Sequence, residues 1–347
     1  MISTDFNVVH KQFKLNGYNL TREDLCRVAY SFIKEGDDFE RPLGGFILDW
    51  FDHNDFIEMH TSGSTGIPKT IRVKKQAMVN SSIATGQYFS LEPGDRVLHC
   101  LPIKYVAGKM MFVRALVLGL DMDFVAPVSN PLEYNPERYD FSAMVPLQAQ
   151  RSIECLSQIR KLIVGGARIS TPLENQLLQC GADCYETYGM TETVSHIAAK
   201  RVGDKSFTVL PDVGLTLDER GCLVIDAPKI ADQLIVTNDL VELLNPTEFI
   251  WLGRIDNVIN SGGIKLMPEQ IEQKLTKHFE RRFFVIGVED ALLGEKLVLV
   301  IEGEEYVLPD NIFAKLDKYE VPKEIRFISN FKETGNGKII RKDTIEQ

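Results

Sequence analysis

Apolar positions along the chain change their spacing several times, and each change predicts a different kind of element. Thr21-Arg22-Glu23-Asp24 fits a capping box, and Leu25, Val28, Ala29 and Phe32 then recur at helical spacing. The opening segment of about fifty residues thus predicts a small helical preface. Phe56 to Met59 is a short apolar run that predicts a buried strand, and Thr70-Ile71-Arg72-Val73 predicts another. Beyond them the pattern alternates. Helices are expected over 76–89 and 107–118, strands over 97–101, 124–127, 143–146 and 162–164, a helix N-capped by Ser170 and stopped at Gly181, and a strand over 184–188. Such alternation predicts an α/β fold built on a largely parallel, doubly wound sheet. After residue 200 the pattern becomes one of short strands separated by turns, over 223–225, 234–237 and 249–252, as in a β-rich subdomain. Gly253-Arg254-Ile255-Asp256 reads as a boundary. The final block predicts a small α+β unit: it starts with Val258-Ile259-Asn260 and a turn at 261–263, followed by a helix opened by Pro268 with Ile271, Leu275 and Phe279 on one face. Strands at 283–288 and 297–301, a helix around 312–316 and a strand at 325–328 complete it.

Bulk numbers narrow the class. The 347 residues suit two domains, expected at 1–253 and 254–347. Hydrophobic content of 44% and charged content of 25% are those of an ordinary globular protein. A net charge of −10 argues against a nucleic-acid-binding surface, yet leaves room for an anionic small substrate held by a few local cations. Six scattered cysteines without a CxxC read as reduced thiols, with no zinc expected. No apolar signal core opens the sequence, and the longest apolar stretch, Met110 to Leu120, is broken by Arg114 and is too short for a bilayer. The expectation is a cytoplasmic protein without a membrane span. Its oligomeric state is left open.

Candidate chemistry sits in the turns. The stretch Thr61-Ser62-Gly63-Ser64-Thr65-Gly66-Ile67-Pro68-Lys69 holds four hydroxyls, two glycines and one lysine between two strands. Glycines let a backbone approach a ligand, successive N–H groups make an anion-binding concavity, and lysine adds a point charge. The stretch serves equally as a polyphosphate cradle or as a polar hairpin, and it lacks the GK[ST] of a Walker A loop. Gly165-Gly166-Ala167 follows a strand and admits either a flat ring or a plain turn. Tyr185-Glu186-Thr187-Tyr188-Gly189-Met190-Thr191-Glu192 offers an aromatic face for a base, a hydroxyl for a phosphate and a carboxylate for Mg²⁺. Taken alone it reads first as an aromatic core strand followed by a helix capped by Thr191. Asp239 suits ribose hydroxyls or a turn cap. Lys338, in Thr334-Gly335-Asn336-Gly337-Lys338, is a loop charge by itself.

Taken together and in order, these stretches resemble the acyl-adenylate-forming superfamily of acyl-CoA synthetases, luciferases and nonribosomal adenylation domains. Thr61 to Lys69 is similar to its phosphate loop, and Tyr188-Gly189-Met190-Thr191-Glu192 to its adenine and magnesium motif. Asp239 and Gly253-Arg254 match ribose-binding positions, Asp256 the hinge, Ser261-Gly262-Gly263 the loop of the second half-reaction, and Gly337-Lys338 the catalytic lysine motif. The resemblance spans residues 60 to 338. It implies a large N-terminal domain, a small C-terminal lid that rotates between half-reactions, and Mg²⁺, ATP and coenzyme A as cofactor and co-substrates. A narrower resemblance, to the 2-succinylbenzoate–CoA ligase family of menaquinone synthesis, rests on Leu101 to Met111, Pro146-Leu147-Gln148 and Thr193 to Ala198.

By that resemblance ATP or AMP is bound by Thr61, Ser62, Gly63, Ser64, Thr65, Gly66, Lys69, Gly165, Gly166, Ala167, Glu186, Thr187, Tyr188, Gly189, Met190, Asp239 and Arg254. Lys338, Thr191 and Glu192 are catalytic, with Glu192 holding Mg²⁺. Ser261, Gly262, Gly263 and Lys265 meet coenzyme A. Tyr105, Gly108, Lys109, Ser195 and His196 line the pocket for an aromatic carboxylic acid, where Lys109, Ser195 and His196 are candidates to meet its second carboxylate. Three departures stand out: a short region before the phosphate loop, Tyr105 where many relatives have histidine, and Lys265 where the family often has an acidic residue or arginine. Two alternatives remain: the same chemistry on another acyl or aryl acid or a carrier-protein thiol, and a non-catalytic nucleotide-binding module.

Overall fold

The computed structural model describes residues 5–60, 70–279, 281–309, 311–333 and 339–347. A thirteen-stranded sheet forms its frame. One half is parallel: Lys14–Leu15, Asp121–Phe124, Arg96–His99, Tyr139–Met144, Ile159–Val164 and Asp183–Gly189 lie side by side. Parallel strands are covered on both faces, so their residues are apolar in both directions. Phe141, Ala143 and Ile163 face the helices Lys75–Phe89 and Val106–Leu118. Leu98, Met144, Leu162 and Val164 face the opposite layer, with Leu173 and Leu177 of the helix Thr171–Leu177. The sheet is doubly wound, as the alternation predicts.

The β-rich segment joins this sheet rather than standing apart. His196–Arg201 pairs antiparallel with Asp183–Gly189, and Phe207–Val209, Glu248–Arg254, Ile235–Asn245, Cys222–Asp226 and Gly214–Leu217 continue outward. Ile197, Phe207, Leu223, Ile225 and Phe249 pack beneath this half. A second, five-stranded sheet follows, built from Ile259–Ser261, Ile264–Leu266, Phe283–Asp290, Gly294–Glu302 and Glu324–Ile328. The helix Pro268–Leu275 lays Ile271 and Leu275 on it, against Leu297 and Leu299.

Local signals hold in part. Thr21 and Asp24 form the capping box at the start of the helix Arg22–Glu35. The strand expected over 124–127 lies at Asp121–Phe124: Gly119, at φ 75°, ends the preceding helix and the strand starts at once, while Pro127 has no N–H to pair. Ser170 caps its helix, which stops at Leu177 rather than near Gly181. No helix forms around 312–316. Ile312, Ala314 and Leu316 N–H groups bond three residues back, at 3.1, 3.0 and 3.0 Å, so the segment is a run of turns too short to propagate. The helices Arg41–Trp50 and Pro146–Arg151 were not evident from spacing.

Candidate active site

The C-terminal ends of three parallel strands line up, with Met144 beside Val164 and Val164 beside Glu186. Crevices outside such ends are where α/β sheets take ligands. Gly165 begins the crevice wall. A Cβ there would sit 2.4 Å from Thr187 Oγ1, and the Thr187 hydroxyl donates to the Val164 carbonyl at 3.3 Å. Only glycine fits, and Gly166 follows at φ 84°. Glu186 pairs with Lys200 at 3.0 Å. Tyr188 packs edge-on against Phe249, with ring centres 5.2 Å apart, and donates to Asp239 Oδ2 at 2.7 Å, while Trp251 Nε1 donates to Oδ1 at 3.2 Å. Asp239 is thus fixed and almost wholly buried. Burial, and then the carboxylate beside it, push the Tyr188 phenol far up, so it stays a donor.

Asp239 is the cross-strand partner of Arg254. Arg254 donates to Asp256 at 2.6 Å, and Asn238 Nδ2 lies 3.2 Å from both Asp256 oxygens. Arg254, hydrogen-bonded to it, holds the Asp256 carboxyl below the usual carboxylate range, and Asn238 adds to this. Behind this cluster, Glu269 of the helix Pro268–Leu275 lies against Gly253, where a Cβ would meet Glu269 Oε2 at 2.5 Å. Arg168, next to Ala167, donates to the Glu269 carbonyl at 3.1 Å. The nucleotide-loop candidate and the second sheet's helix therefore touch.

Past Tyr188 the chain turns sharply instead of starting a helix. Thr193 Oγ1 accepts from Met190 N–H at 2.9 Å and donates to the Ser195 carbonyl at 2.6 Å. Val194 sits at φ 65°, a costly conformation for a β-branched residue. The turn presses Ser195 and His196 onto Gly189, where a Cβ would lie 2.3 Å from Ser195 O. Thr191 is half-buried and Glu192 exposed at the turn's start.

Beneath that turn lies a group that spacing did not single out as functional. Arg114 is only 2% exposed in the middle of the helix Val106–Leu118. It donates to Ser195 Oγ at 2.6 Å and to Thr85 Oγ1 at 3.4 Å, and its Nη2 lies 3.4 Å from His196 Nδ1. All three partners are neutral, and no carboxylate among the described residues pairs with it. Burial drives its pKa down to about 9. Burial and then Arg114 also push His196 well below its usual range, so its imidazole is neutral. An isolated buried cation is costly unless an anion joins it. The available signal was the arginine interrupting Met110 to Leu120.

Lys109 is not brought to Ser195 and His196. It lies five residues before Arg114, about 140° around the helix. Its ammonium sits 3.4 Å from the Glu58 carbonyl and 5.5 Å from the Phe46 ring centre, at a cavity of about 180 Å³ lined also by Asp49 and Lys104. Tyr105 N-caps that helix, with the Lys104 ammonium 4.8 Å from its ring centre. Gly108 lets the helix close on Pro102, since a Cβ would meet the Pro102 carbonyl at 2.3 Å. Ser261, Gly262, Gly263 and Lys265 form the hairpin of the second sheet, its two glycines at φ 58° and 81°. Thr61–Lys69 and Lys338 lie outside the described residues. The strands flanking the first loop pair antiparallel, His60 against Thr70, and Glu333 bridges Ile339 around the second. Among the described residues no helix is long and apolar enough to cross a membrane.

A parallel-to-antiparallel sheet with a crevice at its strand ends and a second sheet in contact behind it is an architecture in which α/β proteins take ligands. The family model described as AMP-binding enzyme matches residues 49–231, just over half of the 347 residues, and the chain belongs to that family. Among named relatives, the 2-succinylbenzoate–CoA ligase of Haemophilus influenzae is 28% identical over 272 residues, covering 71% of this chain and 59% of the relative. That of Escherichia coli is 28% identical over 304 residues, covering 80% and 65%. The chain thus spans 59% to 65% of the length of these curated relatives. The crystal structure of an acyl-CoA synthetase (AMP-forming)/AMP-acid ligase II-like protein from Dyadobacter fermentans is 36% identical, with a TM-score of 0.62, covering 92% of this chain and 97% of that one. The O-succinylbenzoate coenzyme A synthetase of Bacillus subtilis, at 20% identity and a TM-score of 0.74 over 83% of this chain and 69% of that one, shares the fold.

Proposed function

We propose that this chain is an ATP-dependent carboxylate–CoA ligase working in the cytoplasm through an acyl-AMP intermediate, with 2-succinylbenzoate as its acid. The observation that carries the substrate is Arg114: a buried cation with neutral partners, directly behind the turn that ends the crevice. A second carboxylate on the acid supplies the anion it lacks, and Ser195 and His196 shape the approach. Arg114 takes the role first expected of Lys109. The named relatives act on an acid of this kind, which supports the reading.

In the proposed first step a carboxylate oxygen attacks the α-phosphorus of ATP, and pyrophosphate leaves. Tyr188 and the Gly165-Gly166-Ala167 turn receive adenine, with Glu186, Thr187, Gly189 and Met190 shaping that wall, and Asp239 and Arg254 hold the ribose. Thr191, Thr61–Lys69 and Lys338 are assigned the role of screening the charge that develops on the phosphates. Glu192 suits Mg²⁺: it is an exposed carboxylate in the turn that follows the strand Asp183–Gly189. Such an ion is held by one or two carboxylates plus substrate phosphates, and it supplies charge neutralisation. In the second step residues 254–347 turn about Asp256, Ser261, Gly262, Gly263 and Lys265 admit coenzyme A, and its thiolate displaces AMP from the acyl carbonyl. The test is acid-dependent exchange of pyrophosphate into ATP with 2-succinylbenzoate, benzoate and octanoate, and AMP release with coenzyme A. Exchange with 2-succinylbenzoate well above the other two is expected. No exchange with any acid leaves a nucleotide-binding module; equal rates remove the assigned substrate while keeping the adenylating chemistry.

A further inference from the structure

Asp256 lies where the large sheet ends and the second begins. It occupies the short 3-10 turn Ile255–Asn257, between the strands Glu248–Arg254 and Ile259–Ser261. Its carboxylate is gripped from one side by Asn238, whose Nδ2 stands 3.2 Å from each oxygen. An amide side chain has a donor end and an acceptor end, and which end faces a carboxylate decides attraction or repulsion. Here Arg220 settles it. Its Nη1 donates to Asn238 Oδ1 at 3.0 Å and its Nη2 to the Thr237 carbonyl at 2.9 Å, while Asp218 Oδ2 accepts from Arg220 Nε at 2.8 Å. The acceptor end of Asn238 is engaged, so its donor end is aimed at Asp256.

Asn238 also sits one residue before Asp239. Neighbours on a strand point to opposite faces. Asp239 turns to Tyr188 and Trp251, and Asn238 turns outward to Asp256. The same short segment therefore carries the ribose-candidate carboxylate on one face and grips the turning-point carboxylate on the other. Arg254, cross-strand from Asp239, is committed to Asp256 as well.

We propose that Asn238, oriented by Arg220, is a positioning residue: a latch on Asp256 that sets how readily the second sheet turns against the large one between adenylation and thioester formation. The inference rests on reading Asp256 as the turning point. The latch is partly exposed, so each contact is modest, and it tunes a balance without creating an activity. Its strength lies in polarity: an amide facing a carboxylate attracts, and a carboxylate facing a carboxylate repels.

The decisive variant is Asn238→Asp. Aspartate keeps the size of asparagine and still accepts from Arg220, so the fold is retained while the face toward Asp256 changes sign. The ratio of pyrophosphate exchange to thioester formation from presynthesised acyl-AMP is expected to shift roughly 2- to 5-fold. Amide hydrogen exchange over 255–261 should quicken by a similar factor. The double variant Asn238→Asp/Asp256→Asn, which swaps amide and carboxylate, should bring exchange back toward the wild-type rate. Arg220→Gln should act in the same direction as Asn238→Asp, more weakly. A merely structural role would slow both half-reactions in proportion and would not respond to the swap; that pattern, or unchanged exchange over 255–261, overturns the latch. The exchange measurement needs no catalysis. A wild type without pyrophosphate exchange therefore removes the ligase reading alone, and the latch stands or falls on the amide rates.

Discussion

One helix carries two cations, and their surroundings differ in kind. Lys109 is half-buried beside Asp49, with a carbonyl and an aromatic face for company. Arg114 is sealed among a serine, a threonine and a neutral histidine. Burial lowers the pKa of both, but Asp49 offsets this at Lys109 and nothing comparable does so at Arg114. A half-exposed charge with a carboxylate nearby is compatible with a solvated structural role. A sealed charge with neutral partners weakens the resting fold, and a site that keeps one is built for a visitor of opposite sign.

The sharpest way to break this contrast is Arg114→Met. If the contrast is right, stability and activity move in opposite directions. Removing an uncompensated buried charge for a side chain of similar bulk should be neutral or stabilise by about 1–4 kcal/mol. Activation of 2-succinylbenzoate should fall roughly 10²- to 10⁴-fold in kcat/KM, because its second carboxylate loses its partner, while the KM for ATP changes little. Thermal melts and steady-state kinetics on one preparation decide it. A destabilised variant that still activates the acid would make Arg114 structural.

Acid should probe the same neighbourhood. His196 and the wholly buried His99, whose pKa burial lowers to about 3, are neutral in the native state. In the unfolded chain each takes up a proton near pH 6.5. Their contribution is therefore intact above about pH 6.5 and is lost as pH falls, at about 1.4 kcal/mol per pH unit for each, continuing toward pH 3 for His99. Urea midpoints from pH 7.5 to 4.5 should show this slope, and a His99→Phe/His196→Gln variant should flatten it. Arg114→Met should flatten it less, since Arg114 lowers both histidines only after burial does.

The smallest effect belongs to Lys109→Leu. Changes within about 3-fold in kcat/KM and about 0.5 kcal/mol in stability are expected, as for surface substitutions generally. A loss rivalling that of Arg114→Met would return the carboxylate role to Lys109.

That reversal shows what the sequence made legible. Period and caps carry local information, so the Thr21–Asp24 box, the paired strands around 60 and 70 and the doubly wound sheet follow from neighbours a few residues apart. Gly165-Gly166 could be placed after a strand from sequence, but a ring-binding wall and a plain turn look alike there; the crowding at Gly165 and Gly189 exists only once Thr187 and Ser195 are folded against them. Arg114 could not be read in this way. Its partners Thr85 and Ser195 lie 29 and 81 residues away, on other elements, and only the fold brings them in. The run at 312–316 failed for the opposite reason: its helical spacing was present, but too few residues carried it. The union of the parallel and antiparallel halves into one sheet depends on Asp183–Gly189 pairing with His196–Arg201, a contact across a strained turn that no spacing rule foresees.

The strand order of that sheet also constrains how the chain folds as it is made. Every member of its parallel half is in place once Gly189 has been synthesised, including Lys14–Leu15, whose parallel partner begins only at Asp121. The outer half is different. Phe207–Val209 lies between His196–Arg201 and Glu248–Arg254, so it is left with one open side until Arg254 has emerged. At roughly 5–20 residues per second on the ribosome, the nascent protein carries a finished α/β half and an unpaired sheet edge for several seconds. During that interval Tyr188 waits for Asp239, and the edge at Phe207 is where a chaperone or another nascent chain would attach first.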